Sequence, residues 1–96
     1  AYVSSKGAII GLTRSLARSM GPHGIRVNAV SPGAVETPMT AKYSATAVGA
    51  VAAGTIAKRM GQPEEIARVS IFLASDAASY LTGEMINVSG GLAFGL

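Results

Sequence analysis

The hydrophobic pattern of the chain opens with a helical period and then a stop signal. The first apolar side chains at helical spacing are Ile9, Leu12, Leu16 and Met20. Apolar residues three and four positions apart line one face of an α-helix, so we predict an amphipathic helix from Tyr2 to about Met20. The segment Gly21–Gly24 should end it, because glycine can adopt the left-handed cap and its proline cannot continue a helix.

Two short apolar runs predict the strands of a sheet. The first extends from Ile25 to Ser31 and the second from Met85 to Val88. Both are apolar on both faces, which is typical of parallel strands covered by helices on two sides. A helix that leads directly into an extended run is also the second half of a crossover unit between parallel strands. The pattern therefore predicts an α/β fold.

Two further helical segments lie between these strands. Residues 40–58 are rich in alanine but are interrupted by Gly49 and Gly54, which predicts a helix of low intrinsic stability. The segment Gly61–Glu65 begins another helix, predicted to run to about Ser75. Its proline fits the first turn, and its glutamates complement the positive end of the helix dipole.

Composition and charge exclude several classes of protein. Hydrophobic residues make up 49% of the 96 residues and charged residues 14%, the profile of a packed chain rather than a disordered one. The net charge is +3 and the basic residues are scattered, so we expect no nucleic-acid partner. The absence of cysteine excludes disulfides and thiolate metal sites. Neither a signal peptide nor a membrane span is evident, and we expect a cytoplasmic protein without a membrane partner.

The most distinctive chemical feature is the pair Tyr2 and Lys6. Their four-residue spacing places a phenol and an ammonium on one face of a helix. A nearby positive charge stabilises the phenolate and lowers the tyrosine pKa from its usual value of about 10. The pair is therefore a candidate proton donor and acceptor, although an isolated pair with this spacing is more often an exposed surface pair.

Other motifs accompany this pair in a fixed order. They are the strand exit Asn28–Gly33, Thr37, the helix start Gly61–Ala67, and the paired glycines Gly90 and Gly91 after the last strand. With Tyr2 and Lys6 in front of them, the sequence resembles the carboxyl-terminal portion of the short-chain dehydrogenase/reductase family over nearly all of its length. The resemblance implies an α/β fold that is the carboxyl-terminal part of a Rossmann-like doubly wound parallel sheet.

The resemblance also implies a domain organisation. Residues 1–96 would form the carboxyl-terminal portion of a single NAD(P)-binding Rossmann domain. Residues 1–37 would hold the catalytic helix, strand and nicotinamide loop, residues 38–60 the substrate lid, and residues 61–96 the last helix, last strand and tail. The glycine-rich pyrophosphate turn and the family's upstream serine are missing from this sequence. We therefore expect a fragment that is inactive alone and needs the amino-terminal half of its domain.

Catalytic and cofactor-binding roles follow from the same resemblance. Tyr2 is expected to act as general acid and base at a carbonyl that accepts hydride. Lys6 is expected to lower the pKa of that phenol and to bind the nicotinamide ribose, so both residues are also expected to contact the cofactor. Val35 would offer its backbone groups to the nicotinamide carboxamide, and Thr37 would offer its hydroxyl.

Pro32 and Gly33 complete the expected cofactor site. They lie at the carboxyl end of a strand, where ligands bind in open parallel sheets, and Gly33 permits close backbone approach. The alternative is a plain Pro-Gly turn with Thr37 as the N-cap of the lid helix, and both can hold together. We expect no metal site, because the carboxylates show no paired spacing. His23, at the helix end opposite Tyr2, is interpreted as a solvated turn residue.

The function implied is an NAD- or NADP-dependent oxidoreductase that interconverts a carbonyl and a secondary alcohol on a small-molecule substrate. For a bacterial-type member, the resemblance suggests reduction of 3-oxoacyl carrier protein. The family usually forms homotetramers, and the apolar tail ending in Phe94 and Leu96 fits burial in such an interface. One alternative is a noncatalytic or split-enzyme fragment for binding or oligomerisation, completed by an amino-terminal partner chain. Another is an epimerase-like or nucleotide-sensing member.

Overall fold

The structure, a computed structural model, describes residues 2–38 and 40–91. Its helices and strands in chain order are α1 (Tyr2–Met20), β1 (Ala29–Pro32), α2 (Ala45–Ala53), α3 (Pro63–Ala74) and β2 (Met85–Val88). Short 3-10 turns cover Gly21–His23, Thr40–Lys42 and Asp76–Ala78. The chain divides into two compact units, each described by itself: Ala1–Val30 with Ile71–Ile86, and Ser31–Ser70 with Asn87–Leu96.

Strands β1 and β2 form a two-stranded parallel sheet. The Ala29 N–H donates to the Glu84 carbonyl at 2.8 Å, and the Gly33 N–H donates to the Val88 carbonyl at 3.0 Å. The sequence offset between the partners is the same at both ends, which is the register of parallel strands. The predicted α/β class and the predicted bounds of the second strand are confirmed.

The first strand is shorter than predicted. The pattern placed it at Ile25–Ser31, whereas β1 covers Ala29–Pro32. The preceding residues are held by side-chain hydrogen bonds instead of a strand ladder. The Arg26 guanidinium donates from Nη1 to the Leu73 carbonyl at 2.8 Å and from Nη2 to the Ser75 carbonyl at 3.1 Å. Arg26 thereby satisfies the Leu73 carbonyl in the last turn of α3, which has no partner within the helix, and adds a second bond to the Ser75 carbonyl just after it.

The Asn28 side chain, just before β1, forms hydrogen bonds with backbone groups just before β2. Its Nδ2 donates to the Leu81 carbonyl at 2.9 Å, and its Oδ1 accepts from the Glu84 N–H at 3.1 Å. Beside it, the Val27 N–H donates to the Thr82 hydroxyl at 3.1 Å. One backbone bond, from the Gly83 N–H to the Val27 carbonyl at 2.7 Å, also joins the two segments. Side-chain hydrogen bonds take the other backbone groups just before both strands, which explains why the ladder does not extend further here.

Helix α1 has the predicted bounds, and the side chains that it buries within this unit are small. Thr13 and Ala17 are buried. The large apolar side chains that are instead between 41% and 58% exposed are Ile9, Leu12 and Leu16. Ala17 faces Gly83, where an added Cβ would lie 3.6 Å from the Ala17 Cβ, an ordinary van der Waals contact. The predicted left-handed stop after the helix is confirmed at Gly24, whose φ is +73°.

The helix predicted over residues 40–58 is two shorter elements, the 3-10 turn and α2. Ser44 sets the beginning of α2, because its hydroxyl accepts from the backbone N–H three residues later at 3.1 Å. Gly54 follows its last residue as the C-cap. Helix α3 begins at the predicted Pro63 and ends at Ala74, one residue before the predicted end.

The tail and the possible membrane spans were also considered in the sequence predictions. The expected burial of Phe94 and Leu96 lies outside the described residues. Among residues 2–38 and 40–91, no helix is both long and apolar enough to cross a bilayer. The division of the chain into catalytic, lid and tail portions stays a prediction.

Candidate functional site

The segment that leaves β1 is packed tightly against the end of β2. A Cβ placed on Gly33 would lie 2.7 Å from the Ser89 Cβ and 2.8 Å from the Ser89 Cα. These distances are far below van der Waals separation, so only glycine fits here without movement of the backbone. The sequence predicted close approach of a ligand at Gly33, whereas the structure shows close approach of the chain itself. Pro32, also predicted to contact the cofactor, is the exposed last residue of β1.

Residues 33–37, the β1 exit loop, are held on one side by a parallel bridge between Val35 and Gly61. The Gly61 N–H donates to the Ala34 carbonyl at 2.9 Å, and the Glu36 N–H donates to the Gly61 carbonyl at 2.9 Å. The hydrogen bonds of this bridge are thus made by Ala34 and Glu36, the neighbours of Val35. Within the part of the chain that the structure describes, no hydrogen bond uses the backbone N–H or C=O of Val35. The role of these two groups in binding the cofactor stays a prediction.

The other end of the exit loop is held by Thr40. The Thr37 N–H donates to the Thr40 hydroxyl at 3.0 Å, and that hydroxyl donates back to the Thr37 carbonyl at 2.8 Å. The Thr40 N–H donates to the same carbonyl at 3.0 Å. Thr40 thus reaches back to Thr37 as the third residue of a helix does in a capping box. The prediction that Thr37 is the N-cap of the lid helix is wrong, because Ser44 caps α2. No hydrogen bond among the described residues uses the Thr37 hydroxyl.

Sequence reasoning missed Thr40 as a member of this site. Its spacing from Thr37 is that of an N-cap residue and the third residue of a helix, and this T-x-x-T pattern was the available signal. The glycines of the lid indicate a weak helix, but they do not indicate where its first turn begins.

A chain of polar contacts supports the bridge at Gly61. The Gln62 amide donates from Nε2 to Glu36 Oε2 at 2.7 Å, and the Gln62 N–H donates to Glu65 Oε1 at 2.9 Å. Arg59 pairs with the same carboxylate through both Nη atoms, at 2.7 Å and 2.9 Å. The hydrogen bond from Arg59, followed by the one from the Gln62 backbone, lowers the pKa of Glu65 from 4.5 to about 2. Glu65 is therefore an ion-pair partner as well as the predicted complement of the helix dipole.

The low pKa of Glu65 predicts a pH-dependent contribution to stability. The pKa is depressed to about 2 from 4.5, so the stabilisation is present above about pH 4.5 and is lost as the pH falls toward 2. Because the pair is exposed, we expect Glu65→Gln to lower the midpoint of thermal unfolding of the full-length protein by only about 1–3 °C at neutral pH. This difference should shrink as the pH falls below about 4.5 and approach zero only below about pH 2. Glu64→Gln in the same helical turn is the control, and a difference independent of pH would contradict the interpretation.

Two neighbouring cavities lie at Thr40 within the second unit. One of about 380 Å³ is lined by Glu36, Thr37, Thr40, Tyr43, Ala45 and Val48. The other, of about 270 Å³, is lined by Thr40, Tyr43, Ala47, Val48, Val51 and Met60. The second is almost wholly apolar, and the first carries polar groups where it meets the exit loop. Together they have the size and mixed character of a small-molecule site.

The predicted proton-transfer pair lies in the first unit. Tyr2 is the first residue of α1, and Lys6 follows one turn later and is half-buried. The structure thus brings Gly33, Val35 and Thr37 together in one loop, and the pairing of Tyr2 with Lys6 stays a prediction. The interpretation of His23 is confirmed, because it lies exposed in the 3-10 turn after α1. No group of three or more histidine or acidic side chains in residues 2–38 and 40–91 could hold a metal ion.

Known proteins resemble this chain in both sequence and structure. The model of a family described as enoyl-(acyl carrier protein) reductase matches residues 1–93. The chain is 46% identical over 91 residues to the 3-oxoacyl-[acyl-carrier-protein] reductase FabG of Thermotoga maritima, a match that covers 95% of this chain and 37% of that protein. It is 48% identical over 91 residues to the (3R)-3-hydroxyacyl-CoA dehydrogenase of Mus musculus, covering 95% of this chain and 35% of that protein.

A solved structure agrees with these sequence matches. The crystal structure of a short-chain dehydrogenase/reductase (glucose/ribitol dehydrogenase) from Brucella melitensis superposes with a TM-score of 0.83 and 48% identity. That match covers 95% of this chain and 37% of the other. The chain therefore spans between 35% and 37% of the length of the two curated relatives. Because the family model matches residues 1–93 and a solved member of the family superposes over 95% of the chain, the chain belongs to the short-chain dehydrogenase/reductase family.

Proposed function

We propose that this chain is the carboxyl-terminal part of an NAD- or NADP-dependent oxidoreductase that interconverts a carbonyl and a secondary alcohol. The observation that carries the proposal is the β1 exit loop. Its bridge and cap bonds fix the backbone, yet the backbone groups of Val35 and the hydroxyl of Thr37 remain unused among the described residues. A donor, an acceptor and a hydroxyl on a rigid loop fit the amide group of a nicotinamide.

The nicotinamide cofactor, when bound, supplies or accepts the hydride. In the reducing direction the carbonyl carbon gains hydride, and its oxygen gains a proton from the Tyr2 phenol. In the oxidising direction Tyr2 takes that proton back as general base. Lys6, one helical turn away, would stabilise the phenolate and lower the pKa of Tyr2, and would also bind the ribose hydroxyls. Pro32 and Gly33 would border the nicotinamide.

We further propose that the substrate is a 3-oxoacyl thioester or its 3-hydroxyacyl product. The names of the Thermotoga and mouse relatives share an acyl group with oxygen at its third carbon. The apolar cavity of about 270 Å³, which shares Thr40, Tyr43 and Val48 with the cavity at the exit loop, supports an apolar arm on the substrate. Val51 and Met60 line this cavity away from the loop and would contact that arm.

The remaining proposals concern the whole protein. Residues 1–37 would carry the catalytic helix and nicotinamide loop, residues 38–60 the lid, and residues 61–96 the last helix, strand and tail. The missing amino-terminal half of the domain would supply the pyrophosphate site, so the chain alone would be inactive. A cytoplasmic homotetramer is the proposed state, and the exposed apolar side chains of α1 support burial by a further surface. Light scattering at micromolar concentration measures the assembly, and a monomer would contradict it.

The test of this function is turnover by the full-length protein. We expect consumption of NADH or NADPH to require a short 3-oxoacyl thioester, and we expect a polar ketose to be reduced at least about tenfold less efficiently, because an apolar cavity desolvates hydroxyl groups without pairing them. Comparing the rates with NADH and NADPH measures which cofactor the protein prefers. Failure of the protein to bind either reduced cofactor would refute the proposal.

A further inference from the structure

The side chain of Thr40 engages both backbone polar groups of a single residue of the exit loop. Its hydroxyl accepts from the Thr37 N–H at 3.0 Å and donates to the Thr37 carbonyl at 2.8 Å. A third bond joins the Thr40 N–H to that same carbonyl at 3.0 Å. The two distances from the Thr40 hydroxyl oxygen, 3.0 Å and 2.8 Å, lie in the range of well-formed hydrogen bonds. One hydroxyl therefore restrains the peptide groups on both sides of the Thr37 Cα.

This restraint leaves the side chain of Thr37 uncommitted. Thr37 is exposed, and no hydrogen bond from the described residues occupies its hydroxyl. A β-branched side chain has few rotamers, so its direction follows from the backbone that carries it. Fixing the peptide groups of Thr37 thus restricts where its hydroxyl can point.

Thr40 also connects the exit loop to the lid. It lines the polar cavity beside Thr37 and the apolar cavity that extends to Met60. Its own carbonyl accepts from the Tyr43 N–H at 3.0 Å, which forms the 3-10 turn that leads toward α2. The same residue therefore restrains Thr37 on one side and begins the lid on the other.

We propose that Thr40 is a positioning residue for the nicotinamide cofactor. It acts through Thr37, whose hydroxyl it aims at the cofactor's amide, and it makes no contact with the reacting atoms. The inference rests on the proposed function and adds to it a residue and a mechanism. Because Thr37 is exposed, water can satisfy its peptide groups when the Thr40 hydroxyl is removed. Loss of that hydroxyl should therefore affect binding geometry more than folding.

The test uses three substitutions in the full-length protein. Thr40→Val preserves the shape but removes the hydroxyl, Thr40→Ser preserves the hydroxyl, and Thr46→Val makes the same change at an exposed threonine of α2. Fluorescence titration with reduced cofactor measures the dissociation constant. We expect about tenfold weaker binding for Thr40→Val, and values within about threefold of the wild type for the other two. Wild-type affinity in Thr40→Val, or equal weakening in Thr40→Ser, would overturn the proposal.

A double-mutant cycle separates positioning from a general structural effect. Thr37→Val should weaken cofactor binding by itself, and adding Thr40→Val to it should have little further effect, because the group that Thr40 aims is already gone. Additive losses would overturn the proposal, even if Thr40→Val also lowers stability. The proposed function fails separately: wild-type protein that binds neither reduced cofactor refutes it, whereas normal wild-type binding with an unaffected Thr40→Val variant refutes only the role of Thr40.

Discussion

Replacing Tyr2 with phenylalanine in the full-length protein is expected to lower kcat by about a thousandfold while cofactor affinity changes by less than about threefold. Phenylalanine retains the ring but has no proton to donate, and general acid catalysis contributes about 10²–10⁴ to a rate. The cofactor would still be held by the exit loop and by Lys6. Steady-state turnover and a cofactor titration on the same preparation measure both quantities.

The matched control for this substitution is Tyr80→Phe. Tyr80 is 101% exposed and belongs to the same compact unit as α1, so loss of its hydroxyl should leave kcat within about twofold of the wild type. If Tyr2→Phe retains more than a tenth of wild-type turnover, Tyr2 is not the proton donor. If it loses cofactor binding in proportion to turnover, its role is in binding and the proposed chemistry is wrong.

Replacing Gly33 with alanine is expected to destabilise the full-length protein by about 1–3 kcal/mol and to weaken cofactor binding at least about tenfold. The new Cβ would lie 2.8 Å from the backbone Cα of Ser89 and 2.7 Å from its Cβ. A side chain can rotate away, but a backbone atom moves only with its chain, so the exit loop or the end of β2 must shift. Thermal unfolding and cofactor titration measure the two effects.

Gly49→Ala provides the control for an added methyl group in the same unit. A Cβ at Gly49 meets nothing within 4 Å, and the residue lies inside α2, where alanine favours the helix by up to about 1 kcal/mol. We expect it to preserve or increase stability. The double variant Gly33→Ala with Ser89→Gly should recover part of the loss, because it removes the clash with the Ser89 side chain but keeps the clash with the backbone. A Gly33→Ala variant as stable as the wild type would contradict the packing described for the loop.

The sequence predicted those parts of the fold that depend on local signals. Helix α1 follows an apolar period that ends at a Gly-Pro turn, and α3 begins at a proline followed by two glutamates. The beginning of β1 could not be predicted in this way. It depends on Arg26 and on its carbonyl partners 47 and 49 residues further along the chain. A local sequence pattern cannot predict hydrogen bonds between residues so far apart in the chain.

The candidate site was likewise predictable only in part. Family motifs indicated Gly33, Val35 and Thr37, and the structure places them in one loop. The reason for a glycine at position 33 was not predictable, because its neighbour Ser89 comes from the other end of the chain. The face of α1 that is buried within this unit was not predictable either. Periodicity identifies apolar side chains but does not reveal that Thr13 and Ala17 meet the packed side within this unit.

The central claim is that the protein transfers hydride between a nicotinamide and a carbonyl carbon. The most direct measurement supplies the full-length protein with a short 3-oxoacyl thioester and reduced cofactor that carries deuterium at its hydride-donating carbon. Mass spectrometry of the product should find one deuterium, bonded to the new carbinol carbon, because hydride passes directly between the two carbons. Product without deuterium at that carbon, or cofactor left unoxidised with every acyl thioester tried, would contradict the claim.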